Sequence, residues 1–278
     1  MKKFLTYVKA LGQEFSNDNV PLLAAAQAYY YMLSLVPMLV LAISILPYLN
    51  IDPDAAMSTI QGFMPGEISE VFEEQIADIL TEQRGGLLTV GIIGTLWSAS
   101  NGMNTFIKAQ NEAYNVKQER SFIMARLVSI ALTLGLILAL IVALILPVFG
   151  NTIINSIAAL GIIPEELEFL FNVLRWVVSI TVTAIIFAVL YHVAPNIKIP
   201  FKFALPGAVF ATFAWQLVSF GFSIYIDNFN NYAETYGSLG GIFLLMLWLF
   251  IIGIILVVGA EINAILYRRR QGEALVKE

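Results

Sequence analysis

Long, almost uncharged apolar stretches run through this chain, and they leave few folds open to it. Six can be drawn, at about 22–49, 86–109, 126–148, 167–194, 203–226 and 239–267. Each approaches or exceeds the ~20 residues that a helix needs to cross the hydrocarbon layer of a bilayer. The remainder does not dilute the signal. Of 278 residues 59% are hydrophobic and 13% charged, against roughly 25% charged in a soluble domain. The expected fold class is therefore all-α: one membrane domain over residues 1–278, built as a polytopic bundle of six transmembrane helices.

Local patterns add two further helices. Phe4, Tyr7, Val8, Leu11 and Phe15 share a helical face flanked by Lys2, Lys3 and Lys9, which predicts an interfacial N-terminal helix. No apolar h-region with a cleavage site follows, so a signal peptide is not expected. In the first outer loop Ile68, Val71, Phe72, Ile76, Ile79 and Leu80 recur at helical spacing opposite Glu70, Glu73, Glu74 and Asp78. This predicts an acidic amphipathic helix that packs on the bundle, since anionic headgroups would repel it. Asn17-Asp18-Asn19 with Pro21 signals the start of the first span, and Pro37 is expected to kink it. Pro164 with Glu165 and Glu166 opens the fourth span, and Pro195 stops it.

Charge sets the orientation. Of the 15 Lys and Arg residues, all but Arg84 and Arg175 fall on one side of the six-span drawing. By the positive-inside rule that side is cytoplasmic, which puts both termini inside and the protein in the cell membrane. A five- or seven-span drawing scrambles this alternation. The acids gather outside, where they either solubilise loops or concentrate cations at the mouth of the bundle.

Polar side chains within the spans are the candidates for function, because lipid tolerates them only with a partner or a wet cavity. Ser98, Asn101, Thr105 and Lys108 share one face of the second span, with Asn104 close by. Gln27 and Ser34 flank the Tyr29-Tyr30-Tyr31 run, and Glu261 and Asn263 precede Arg268-Arg269-Arg270 by about two turns. Each can serve as an inter-helix hydrogen bond worth ~0.6–2 kcal/mol. An ionised Glu261 needs more, and a snorkelling Arg is the expected partner. Gln27, Tyr30, Ser34, Asn101, Asn104 and Glu261 are the candidate pathway lining. Gly237, Gly240, Gly241, Gly253 and Gly259 punctuate the sixth span; the spacing of Gly237 and Gly241 suits close helix packing, and a broken helix at Gly240-Gly241 is the alternative.

Enzyme chemistry finds no purchase. The chain has no cysteine, a single histidine (His192), and no Walker A, G-x-G-x-x-G or H-E-x-x-H motif. No catalytic residue, metal or cofactor is expected, and no nucleic-acid partner, because topology already accounts for the positive charge.

The run Ala24-Ala25-Ala26-Gln27-Ala28-Tyr29-Tyr30-Tyr31-Met32-Leu33-Ser34-Leu35-Val36-Pro37 resembles the first span of the YihY/virulence factor BrkB family of bacterial inner-membrane proteins. Leu96-Trp97-Ser98-Ala99-Ser100 and Asn111-Glu112-Ala113-Tyr114 resemble its second span and exit. The likeness continues through Ala194-Pro195-Asn196, Leu205-Pro206-Gly207-Ala208, Tyr236-Gly237-Ser238-Leu239-Gly240, Leu247-Trp248-Leu249 and Gly259-Ala260-Glu261-Ile262-Asn263. The resemblance implies a six-span inner-membrane protein with roles suggested in transport, envelope lipid export or resistance to host defences. An older ribonuclease BN-like label for such proteins lacks its ligand cluster and basic RNA face here. Gln27, where an apolar residue is usual, and the acidic outer loop depart from the pattern. Two functions remain: a transporter or flippase-like protein for a small or amphipathic solute, and a non-transporting membrane scaffold whose polar residues cement helices. The lipid bilayer is the partner common to both.

Overall fold

The computed structural model describes residues 2–45, 48, 85–117, 120–138, 168–228 and 238–272. Every regular element among them is helical: α1 (Lys2–Asn17), α2 (Val20–Ile45), α3 (Gly85–Ala113), α4 (Phe122–Leu138), α5 (Glu168–Val193), α6 (Leu205–Asn228) and α7 (Ser238–Arg270), with a 3-10 turn at Phe201–Phe203. The acidic amphipathic helix, the end of the third span and the entry to the fourth lie outside the described residues.

Among the described residues, three segments are long and apolar enough to cross a membrane: Val20–Leu41, Phe201–Phe222 and Gly240–Arg270. Phe122–Leu138 and Ile180–Val193 are shorter apolar helices. The α3 helix has the length, at 29 residues, but Ser98, Asn101, Asn104, Lys108 and Gln110 make it more polar than the rest.

The molecule is sorted opposite to a soluble domain. Leu22, Val36, Val90, Phe122, Leu217, Phe220 and Phe243 are exposed, whereas the interior is filled by Ala24, Ala28, Ala109, Ala113, Ala188, Ala208, Ala211, Ala260 and Ala264. Water would penalise so broad an apolar surface. In lipid, small residues at the contacts let backbones approach and gain dispersion.

The contacts fix the topology. The α2 helix runs antiparallel along α3, with Tyr31 on Gly102, Pro37 on Gly94 and Leu41 on Gly91. It also runs antiparallel to α7, where Gly253 admits the Ala24 backbone. The α6 helix packs between α5 and α7, and α1 lies against the end of α7. The end of α1 and start of α2, the ends of α3, α5 and α7, and the start of α6 all meet at one pole. Asn196 N–H donates to Asn111 Oδ1 (2.7 Å), and the Arg120 guanidinium donates to Ala194 O and Pro195 O (both 3.4 Å) at the end of α5.

The α2 helix carries Pro37 in its interior and continues to Ile45, as a membrane helix can when its freed carbonyl finds other partners. The α7 helix is unbroken through Gly240 and Gly241, and a side chain at Gly241 would meet nothing. The close approach sits further along α7, at Gly253 and Gly259. A Cβ at Gly259 would lie 2.2 Å from the Tyr191 hydroxyl, and one at Gly207 only 2.1 Å from the Gly259 carbonyl.

Candidate functional site

The α1 helix joins α2 through a two-residue turn. Asp18 N–H still donates to Glu14 O (2.9 Å), and Asn19, at φ 50°, breaks the helix before its carbonyl accepts from Leu22 and Leu23. Asn tolerates this left-handed conformation better than most residues. Glu14 and Asp18, four apart, therefore share the last face of α1, and α7 brings Glu261 to meet them. One carboxylate oxygen from each lies within 4.8 Å of the others. Arg268 Nη1 bridges Glu14 Oε1 at 3.0 Å. The expected Arg partner is thus present on α7 but is engaged by Glu14, and both buried Glu261 oxygens lack an N–H or hydroxyl donor, with the Asp18 carboxyl as their neighbour. Burial pushes the Asp18 carboxyl above its ordinary range; a side-chain hydrogen bond with Glu261 opposes this, the charges of Glu14 and Glu112 add to it, and Arg268 opposes it.

A second polar assembly lies between α3 and α4. Arg126 stacks over the Trp97 ring with its guanidinium 3.9 Å from the centroid. It donates to Trp97 O (3.1 Å) and to the side chain of Asn101. With Asn104, Lys108, Arg120, Phe122 and Ala125 these residues line a cleft of about 460 Å³. The Asn104 Oδ1 is buried and unpartnered. Phe122 and Ile123, 83% and 71% exposed, continue outward along the start of α4. The cleft thus joins three cationic side chains to an apolar flank.

The six sequence candidates fall in different places. Asn101 and Asn104 line the cleft, and Glu261 belongs to the acidic pocket. Gln27 is fully buried on α2 with both amide atoms unpartnered. Ser34 Oγ donates to Tyr31 O at 2.6 Å within its own helix. Tyr30 is half-buried, edge-on to Tyr29 at 5.4 Å. Thr105 likewise bonds back, to Asn101 O at 3.1 Å. Asn263 is cement: its Oδ1 accepts from Gly207 N–H (2.7 Å) and its Nδ2 donates to Ala204 O (3.3 Å), capping the start of α6 from α7.

Sequence reading missed Glu14 and Asp18, whose four-residue spacing was a usable signal, and Arg120 and Arg126, which look like ordinary topology charges. It also missed Gln110, fully buried and unpartnered on α3.

The sequence profile of the virulence factor BrkB family matches residues 11–277. The chain belongs to the virulence factor BrkB family. It is 39% identical to the ribonuclease-like protein YfkH of Bacillus subtilis (strain 168) over 96% of this chain and 97% of that one. It is 28% identical to a UPF0761 membrane protein of Photobacterium profundum over 98% and 84%, and 30% identical to one of Aliivibrio salmonicida over 93% and 82%. No solved structure matches the chain. Membership fits the inside-out sorting of its surface: this BrkB protein is a multi-pass membrane protein. The Pro206-Gly207 and Gly259-to-Asn263 blocks are the two halves of one contact, in which Gly207 meets Gly259 and Asn263 caps α6.

Proposed function

We propose that this BrkB protein is a six-span transporter or flippase-like protein, with both termini cytoplasmic, for an amphipathic anionic solute. The cleft between α3 and α4 carries the reading. Lys108, Arg120 and Arg126 supply positive charge, Asn101 and Asn104 supply amide groups, and Trp97 and Phe122 supply apolar surface. An anionic headgroup with a hydrocarbon tail satisfies all three chemistries, with the tail lying along the exposed start of α4. The convergence of helix ends at one pole supports an even number of crossings. The positive-inside count supports a cytoplasmic location for that pole.

The test uses the full chain in proteoliposomes carrying fluorescent anionic, zwitterionic or cationic lipids. Transbilayer movement is expected to favour the anionic lipid and to fall at least tenfold in Asn104→Ala and Arg126→Gln. Equal rates in both variants, or no movement above empty vesicles, would overturn it.

The alternative is a non-transporting scaffold. Asn263, Asn111 and Tyr191, whose hydroxyl donates to Leu256 O at 2.9 Å, all join separate segments and favour it. Under that reading the cleft variants lose stability in detergent, not flux. Ribonuclease action, suggested by the name of the Bacillus relative, is not proposed. The cleft's three cations sit beside an apolar flank and do not form the broad basic face that RNA needs, and the carboxylates are enclosed.

A further inference from the structure

Where α1 turns into α2, three carboxylates converge with too little positive charge to neutralise them. Glu261 is fully buried, Asp18 is 8% exposed and the Glu14 side chain 17%. Their nearest oxygens lie within 4.8 Å of one another. Glu261 points into this cluster, where no N–H or hydroxyl donor among the described residues reaches its oxygens and its neighbour is the Asp18 carboxyl. The Asp18 Oδ2 is likewise buried without such a donor. Arg268 is the cation at hand, but its Nη1 serves Glu14 and its Nη2 is buried without a partner. Ionised together, the three carboxylates face one positive charge, and Glu112 adds to the negative side. An enclosed carboxylate without a counter-charge is strongly disfavoured.

We propose that Glu14, Asp18 and Glu261 bind one divalent cation. The ion cancels the two charges that Arg268 leaves over. Donors that are all carboxylate oxygens select a hard cation over zinc or copper. Three oxygens that all lie within 4.8 Å of one another can share one ion at the roughly 2.3–2.6 Å bond lengths of Ca²⁺, and Mg²⁺, which gives up its waters reluctantly, is the poorer guest. Tyr114, near enough to Glu261 to feel its charge, buries a hydroxyl with no partner. The enclosure rules out a polymeric substrate. What the ion joins is structural: the last turn of α1, the turn into α2, and α7. Its occupancy then sets how firmly the N-terminal helix is held against the bundle.

The full chain, purified in detergent and stripped with EDTA, would be titrated with MnCl₂, CaCl₂ and MgCl₂ by calorimetry, with thermal unfolding followed in parallel. One saturable site per chain is expected, with Mn²⁺ and Ca²⁺ bound more tightly than Mg²⁺ and a melting temperature that rises with the ion. Asp18→Asn and Glu14→Gln should weaken binding at least tenfold, and Glu261→Gln should abolish it. In EDTA, Glu261→Gln should melt no lower than the parent, since it removes an uncompensated charge. Asn104→Ala, in the other assembly, should bind like the parent. If Glu261→Gln does not fold, the two edge variants carry the comparison. Absence of saturable binding, or binding that Asp18→Asn and Glu14→Gln leave within twofold, overturns the proposal. So does a pocket whose melting responds to pH but to none of the three ions, which would assign it to a shared proton.

Discussion

The acidic pocket and the basic cleft lie near the same pole of the bundle, yet they handle charge in opposite ways. In the cleft each cation has solvent, a carbonyl or an aromatic face. Arg126 alone has the Trp97 ring, the Trp97 carbonyl and Asn101. In the pocket, Glu261 has no solvent and no N–H donor, only the carboxyl of Asp18. A satisfied open charge recruits ligands by attraction and is screened by salt. An unsatisfied enclosed charge makes the fold itself depend on whatever neutralises it. The first arrangement suits recognition and the second suits conditional stability.

The largest effect should come from moving the helix that carries Glu261. Gly259→Ala would drive a methyl group into the Tyr191 hydroxyl at 2.2 Å and towards the Gly207 carbonyl at 3.1 Å. Overpacking of this kind costs up to about 3 kcal/mol. Denaturation in detergent should show that loss, while the Trp97–Arg126 stacking, read by Trp fluorescence, persists below the transition. A parallel loss of the stacking would show that the two regions are one mechanical unit.

Arg268→Ala should follow, destabilising the chain by about 2 kcal/mol, below the ~3–5 of a fully buried pair because both partners keep some solvent. The same truncation in the cleft, Arg126→Ala, should cost only about 1 kcal/mol, the sum of one exposed cation–π contact and modest hydrogen bonds. Equal costs would erase the contrast. Asn104→Ala should be smaller still, within ~0.5 kcal/mol, because its Oδ1 has no partner to lose. Raising ionic strength sharpens the comparison at least cost: binding of an anionic amphiphile to the cleft should weaken, while the melting temperature of the chain, set partly by the enclosed pocket, should scarcely move.

Much of this architecture can be read along the chain, for identifiable reasons. Helices follow from runs of apolar residues because a bilayer forbids unpaired backbone. The α2 and α7 boundaries fall within a few residues of the expected spans, and α1 forms on its amphipathic pattern. The candidates fare according to range. Ser34 and Thr105 bond within their own helices, as spacing alone allows. Asn263 needs a second helix to explain it, and its role appears only when Gly207 and Gly259 let α6 and α7 touch.

The sequence by itself determined an all-helical membrane protein, its family, and the need of Glu261 for a partner, because hydrophobicity and charge act locally and leave one-dimensional traces. Only the tertiary structure decided who meets Glu261. Asp18 and Glu14 lie more than two hundred residues away along the chain, and Arg268, two turns from Glu261 on the same helix, proved to be occupied. Pairing between remote segments depends on which backbones can approach, and that is settled by small residues such as Gly253 and Gly259, whose contacts no periodicity records.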